Sequence, residues 1–75
     1  TRLSIDNGGN VGIGTTSPDS RLDLAAGALT MTEMTAPSAP SDTKVVIYAV
    51  TAGGGKTKLM ALFPSGAAQQ IALEP

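Results

Sequence analysis

The chain has 75 residues, no Cys and no His, and a formal net charge of −1 from five Lys and Arg against six Asp and Glu. The lack of Cys and His excludes disulfides, thiolate chemistry and the commonest zinc ligands, and it removes the commonest general base. We therefore expect no enzyme, no metal and no cofactor. The balanced charge shows no basic excess, so a nucleic-acid partner is not expected either.

The small size of the chain bears on its assembly. A domain of this length buries only about 60% of its unfolded surface, so its stability is marginal without help. With disulfides excluded and the commonest metal ligands absent, partner subunits are the expected source of that help. No apolar run approaches the roughly 20 residues of a membrane helix, so membrane insertion is not expected. Because the chain opens on Thr1, we expect it to be cut from a longer protein.

The N-terminal third consists of short pieces separated by turn-forming residues. Leu3 and Ile5 alternate with polar residues, a period-2 pattern that is typical of a strand with one buried face. The stretch Asn7–Asn10 predicts a turn, since Asn and Gly accept positive φ at little cost. Further along, Leu22 and Leu24 share one face of another strand-length piece.

The middle of the sequence combines a strand-like run with a Pro-rich stretch. In Leu29–Met34, apolar residues alternate with Thr, and β-branched Thr favours a strand over a helix. The following stretch, Thr35–Asp42, contains Pro37 and Pro40, which cannot donate to a ladder. We predict a strand in the first part and an extended linker in the second.

The last third gives the clearest pattern. The runs Lys44–Thr51, Thr57–Phe63 and Ala68–Leu73 are of strand length, and turn-forming residues separate them at Ala52–Lys56 and Pro64–Ala67. Three strands with short turns predict an antiparallel meander. The expected fold class is thus all-β, with short strands followed by a C-terminal three-stranded antiparallel meander. The segments are residues 1–28 (β segment with turns), 29–43 (strand plus linker) and 44–75 (meander, one cooperative unit).

The first strand of this meander is apolar on both faces. Val45 and Ile47 point one way, whereas Val46, Tyr48 and Val50 point the other. A solvated antiparallel sheet should show one polar face, so something must cover the second one. Identical neighbours are the economical choice, and the alternative is a monomer whose N-terminal strands fold back as a small sandwich. The positions expected in a shared oligomer core are Val45, Ile47, Leu59, Met60, Leu62 and Ile71, followed by Leu22, Leu24, Leu29 and Met31.

Two stretches resemble known ligand-binding motifs but are better explained as turns. Gly53–Thr57 is similar to the end of a phosphate-binding loop, but the position that needs the first Gly is Val50, and a strand follows instead of a helix. Asp6–Asn10 is rich in oxygen, yet a calcium site needs six to eight oxygen ligands. Of the pair Gln69 and Gln70, strand alternation allows at most one amide to close a hydrogen-bonded ring on a symmetry axis.

Three stretches of the N-terminal third are distinctive as a set: Arg2–Asp6, the Gly-Asn-Val-Gly-Ile-Gly-Thr-Thr-Ser-Pro string at Gly9–Pro18, and Arg21–Leu24. In these stretches the chain resembles C-terminal regions of tailed-phage tail fibres and related appendage proteins. The remainder, Leu29–Pro75, resembles a C-terminal module of phage fibre proteins. The resemblance implies an intertwined, β-rich homotrimer in which the first segment is shaft-like, located in a virion tail fibre or extracellular appendage. It supplies no catalytic residues.

Three functional hypotheses follow. The leading one is a structural module that trimerises and caps the C-terminal end of a fibre. The second is a tip domain that binds a host cell-surface receptor or glycan, because loops on a rigid scaffold commonly carry recognition. The third is a subunit of an extended extracellular filament. The residues expected in exposed recognition turns are Asn7, Asn10, Gly54, Lys56 and Ser65.

Overall fold

The computed structural model describes residues 3–75, and Thr1 and Arg2 lie outside the described part. Within residues 3–75 the fold is all-β and contains no helix. Six strands form two three-stranded sheets. The protein divides into two compact units, Thr1–Thr30 and Met31–Pro75, each holding one of the sheets.

The N-terminal sheet is built from three strands of three residues each: β1 (Leu3–Ile5), β2 (Val11–Ile13) and β3 (Leu22–Leu24). The order in the sheet is β1-β2-β3. Strand β1 runs antiparallel to β2, whereas β2 and β3 run parallel. Backbone bonds extend the parallel pair at both ends, from Val11 N to Arg21 O (2.8 Å) and from Ala25 N to Ile13 O (2.9 Å).

The turn between β1 and β2 is organised by the Asp6 side chain. Its Oδ1 accepts the backbone N–H groups of Gly8 and Asn10, both at 2.9 Å. The backbone closes the same loop, with Asp6 N donating to Asn10 O and Gly9 N donating to Asp6 O at 3.0 Å each. Asp is favoured in turns because its carboxylate can bond backbone amides a few residues ahead. The expected turn at Asn7–Asn10 is therefore present.

Two glycines allow the backbone to fold closely after β2. Gly12 is buried, and a Cβ there would overlap the carbonyl oxygen of Thr15. Gly14 has φ of 83°, and a Cβ there would lie 2.9 Å from Ala25 O. Only Gly meets both demands, positive φ and close backbone approach, at little cost. The Val-Gly-Ile-Gly string therefore has a packing reason in this unit.

The C-terminal sheet contains β4 (Val46–Gly53), β5 (Lys56–Leu62) and β6 (Ala68–Leu73) in the order β4-β5-β6. Both pairings are antiparallel, which confirms the predicted meander. The bounds of β6 agree with the prediction. Strand β4 begins two residues later than predicted. It also ends two residues later, because Gly53 still pairs with Lys56.

The strand predicted at Leu29–Met34 is wrong. The structure has no strand between β3 and β4, and Met34 N donates a single backbone bond to Ala49 O (2.9 Å) at the edge of β4. Pro37 and Pro40 have no N–H, so a ladder that begins at Met34 cannot continue along β4. The segment Leu29–Met34 has no neighbouring strand to form a ladder with, so its alternating pattern does not produce a strand.

The core lies on one face of the C-terminal sheet. Tyr48, Met60 and Leu62 form a buried cluster, and Val46 and Val50 pack against it. Tyr48 is directly opposite Met60, and Val46 is directly opposite Leu62. Since directly opposed residues point to the same side of a sheet, these side chains form one continuous apolar face.

Candidate self-association surface

The opposite face of β4 and β5 is apolar but more open. Ile47 stands across from Ala61, and Ala49 stands across from Leu59. Both Ala residues are buried, Leu59 is half-buried, and Ile47 is exposed. This second apolar face thus has a centre of small residues, flanked by two larger aliphatic side chains that retain contact with solvent.

Strand β6 forms one edge of the C-terminal sheet. It pairs with β5 on one side, and all six of its residues are exposed. None of them is charged and none is Pro. The register shifts between Leu59 opposite Ala72 and Met60 opposite Gln70, which leaves Ile71 as the extra residue of a bulge. Gln69 lies opposite Ala61, so the two Gln side chains point to opposite faces, as the alternation predicted.

The residues expected in a shared oligomer core fall into two groups. Met60 and Leu62 are buried within the single chain, and Leu59, Leu24 and Met31 are half-buried. The others are open to solvent, with exposed fractions of 51% for Val45, 46% for Ile47, 53% for Ile71, 54% for Leu22 and 65% for Leu29. The meander brings Ile47, Leu59, Met60, Leu62 and Ile71 into one sheet, whereas Leu22 and Leu24 belong to the N-terminal unit.

The residues expected in recognition turns differ in how freely they are presented. Asn7 and Gly54 are exposed and sit in turns. Asn10 is half-buried, and its Nδ2 donates to Asp6 Oδ2 at 3.4 Å. Lys56 Nζ donates to the carbonyl oxygen of Pro75, and Ser65 Oγ accepts the N–H of Ala67 at 3.3 Å. Three of the five therefore also hold local structure.

Sequence reasoning missed the role of Thr57. Its N–H donates to Glu74 Oε1 and its carbonyl oxygen accepts Glu74 N, both at 2.9 Å. The Thr57 hydroxyl donates to a carboxylate oxygen of Glu33. Thr57 thus ties the C-terminal residues and the segment before β4 to the start of β5. No pattern in the sequence signals this, because the partners lie 17 and 24 residues away.

An open groove of about 440 Å³ lies beside β4, lined by Glu33, Met34, Thr35, Ala36, Val50 and Thr51. Its one charged residue, Glu33, already accepts the Thr57 hydroxyl. Among residues 3–75, no three acidic side groups lie together in a way that could hold a metal ion. The part of the protein that is described also contains no helix long and apolar enough to span a membrane.

No protein-family model, curated protein or solved structure matches the sequence significantly.

Proposed function

We propose that the protein is a structural module that assembles with copies of itself, as a trimer that caps the C-terminal end of a phage tail fibre or a similar extracellular appendage. The observation that carries the proposal is that few hydrophobic residues are buried while many large ones stay exposed. In residues 3–75, five hydrophobic residues are buried, whereas eleven large hydrophobic residues are exposed. Association with further copies would remove part of this exposed apolar surface from water, which is favourable.

The energetic argument uses the apolar residues that remain in water. Burying a Val, Leu or Ile side chain fully contributes about 1.5–3 kcal/mol, so half-exposed residues such as Val45, Ile47 and Ile71 leave part of that gain unused. The buried cluster of the single chain rests on three large side chains. Contacts between copies would add to that small core, and folding and assembly would then be one event.

The exposed edge of β6 supports the same proposal. Soluble proteins usually protect an edge strand with charges, Pro or a cover, because its free backbone groups recruit other chains. β6 carries a bulge at Ile71 but no charge and no Pro. A neighbouring copy that lies against β6 would satisfy its free backbone groups. The threefold order comes from the resemblance to fibre proteins and not from the geometry of one chain.

The second candidate function is binding to a receptor or a glycan. The observation in its favour is the β4–β5 hairpin tip, where a Cβ added at Gly53, Gly54 or Gly55 would meet no other atom within 4 Å. Such a tip can approach another surface closely. If the tip binds, replacing Gly54 and Lys56 together should abolish binding to glycan arrays or host cells while the mass of the assembly stays constant.

The test of the leading proposal is the solution mass by light scattering after size exclusion, measured across a dilution series. We expect a mass of three chains that persists on dilution. A mass of one chain at every concentration would contradict the proposal. Masses that grow without limit as concentration rises would instead favour the filament hypothesis, because heterologous contacts that do not close propagate.

A further inference from the structure

The turn between β1 and β2 contains the protein's one Asn-Gly pair. Asn7 and Gly8 are both exposed. Gly8 has no Cβ to hinder approach to its backbone nitrogen. In such a pair, the Gly nitrogen can attack the neighbouring side-chain amide and close a five-membered ring. The N–H that would have to react is the one that donates to Asp6 Oδ1 at 2.9 Å.

We propose that Asn7 is a site of spontaneous covalent modification and that Asp6 restrains it. In the reaction, the Gly8 nitrogen bonds to Cγ of Asn7, and the bond between Cγ and Nδ2 of Asn7 breaks. Ammonia leaves with the proton that Gly8 loses, which gives a succinimide. Water then opens either carbonyl of the ring, so the product is Asp or isoaspartate at position 7. Water is the only co-reactant, and no oxidant or reductant takes part.

Asp6 opposes the first step in two ways. Its carboxylate holds the Gly8 N–H in a charge-assisted hydrogen bond, which must break before the nitrogen can turn towards Cγ. Its negative charge also disfavours the negative charge that develops on the nitrogen as the proton leaves. The same Oδ1 accepts Asn10 N at 2.9 Å, so the carboxylate is fixed in place across the turn.

The second Asn of the sequence provides an internal reference. Asn10 is followed by Val11, a β-branched residue whose N–H donates to Arg21 O at 2.8 Å within the sheet. The branched side chain therefore hinders the Val11 nitrogen, and its N–H is already used in a hydrogen bond. We expect modification at Asn7 and none at Asn10 in the folded protein.

Modification would alter the turn. Asp at position 7 adds a negative charge beside Asp6, and isoaspartate lengthens the backbone by one methylene. The closing bonds between Asp6 and Asn10, and between Gly9 and Asp6, fit the present backbone length. An added methylene would therefore disturb these bonds next to the pairing of Ile5 opposite Val11. The exposed turn would therefore exist in two covalent forms, the original one with Asn at position 7 and a modified one that accumulates with time.

The test follows deamidation of the full chain in mildly alkaline buffer by peptide mapping and mass spectrometry. The wild type is compared with the same protein unfolded in urea. We expect the folded protein to react about tenfold more slowly, since a hydrogen bond to a charged group contributes roughly that factor. A folded protein that reacts as fast as the unfolded one, or faster, would overturn the restraint by Asp6.

Two variants separate the hydrogen bond from the charge. Asp6→Asn keeps an oxygen acceptor for Gly8 and Asn10, and we expect it to remain slower than the unfolded protein. Asp6→Ala removes the acceptor, and its rate should rise towards the unfolded rate. A slower reaction in Asp6→Ala than in the wild type would show that the carboxylate acts as a base, and it would refute the proposal.

Gly8→Ala is the matched control for the chemistry. Gly8 does not have positive φ, and a Cβ there would lie 3.4 Å from Asp6 Oδ1, an ordinary contact, so the turn should tolerate it. The added methyl hinders the attacking nitrogen, so modification should become slower in both the folded and the unfolded protein. Modification that proceeds unchanged in Gly8→Ala would exclude the cyclic route.

Discussion

Gly12 is the glycine whose surroundings leave the least space for a side chain. A Cβ at this position would overlap Thr15 O and lie 3.0 Å from Thr15 Cγ2. We expect Gly12→Ala to destabilise the N-terminal sheet by about 1–3 kcal/mol, the usual cost of overpacking a site that cannot relax. Amide hydrogen exchange of β2 and its neighbours would measure the loss.

The control for this substitution is Gly27→Ala. Gly27 has no positive φ, and its nearest neighbour to a Cβ is Ala25 O at 3.9 Å. The change in stability should stay within about 0.5 kcal/mol, as for ordinary surface positions. Equal losses of stability for the two substitutions would mean that the close approach of Thr15 to Gly12 does not determine the cost of adding a Cβ there.

At the scale of the element, Leu62 and Leu73 differ in burial although both are Leu in the C-terminal sheet. Their exposed fractions are 5% and 51%. Leu62→Ala should cost about 2–5 kcal/mol of unfolding free energy, because it removes buried contacts and leaves a cavity. Leu73→Ala should cost less than about 1 kcal/mol. Urea unfolding monitored by Tyr48 fluorescence would compare them.

A large cost at Leu73 would contradict the expectation from the single chain. It would place that side chain, which was not among the positions expected in the shared core, inside a contact between copies. The comparison therefore also tests which exposed positions of the meander are used in assembly.

The elements that the sequence predicted well are those in which pattern and turn chemistry agree. The start of β6 follows from the turn-forming stretch Pro64–Ala67 before it, and the meander follows from three strand-length runs separated by such turns. Leu29–Met34 was predicted as a strand from its alternation and the β-propensity of Thr, without a turn that would return it to a neighbour, and it has no ladder. Propensity describes a half-buried pleated surface and does not supply a partner strand.

The parallel pairing of β2 with β3 was not predicted, and its physical reason is size. Strands of three residues carry too few side chains to mark the direction of a partner. The pairing depends on Val11 N to Arg21 O and Ala25 N to Ile13 O, which are backbone contacts with no residue signature. The structural role of Thr57 was missed because its partners, Glu33 and Glu74, lie far from it in the sequence.

At the scale of the whole molecule, the proposed assembly can be tested at the second apolar face. Ile47 is 46% exposed and lies beside the buried Ala residues of this face. We expect Ile47→Glu to dissociate the assembly to single chains at micromolar concentration, since an unpaired charge in an apolar contact is strongly unfavourable. Light scattering would show the change in mass.

The matched control is Ser38→Glu, which introduces the same charge at an exposed position outside every strand. Its mass should equal that of the unmodified protein. If Ile47→Glu also leaves the mass unchanged while the protein stays folded, the second apolar face is not the contact between copies. If both variants dissociate, net charge and not this face controls the assembly.

The tip of the β4–β5 hairpin has a practical consequence. Gly53, Gly54 and Gly55 all have positive φ, and the space around them is empty. Loop tips with few contacts tolerate inserted sequence better than the strands that they join. A foreign peptide spliced in at Gly54 should therefore be displayed once per chain without changing the register of the meander, and the proposed assembly would present several copies of it together.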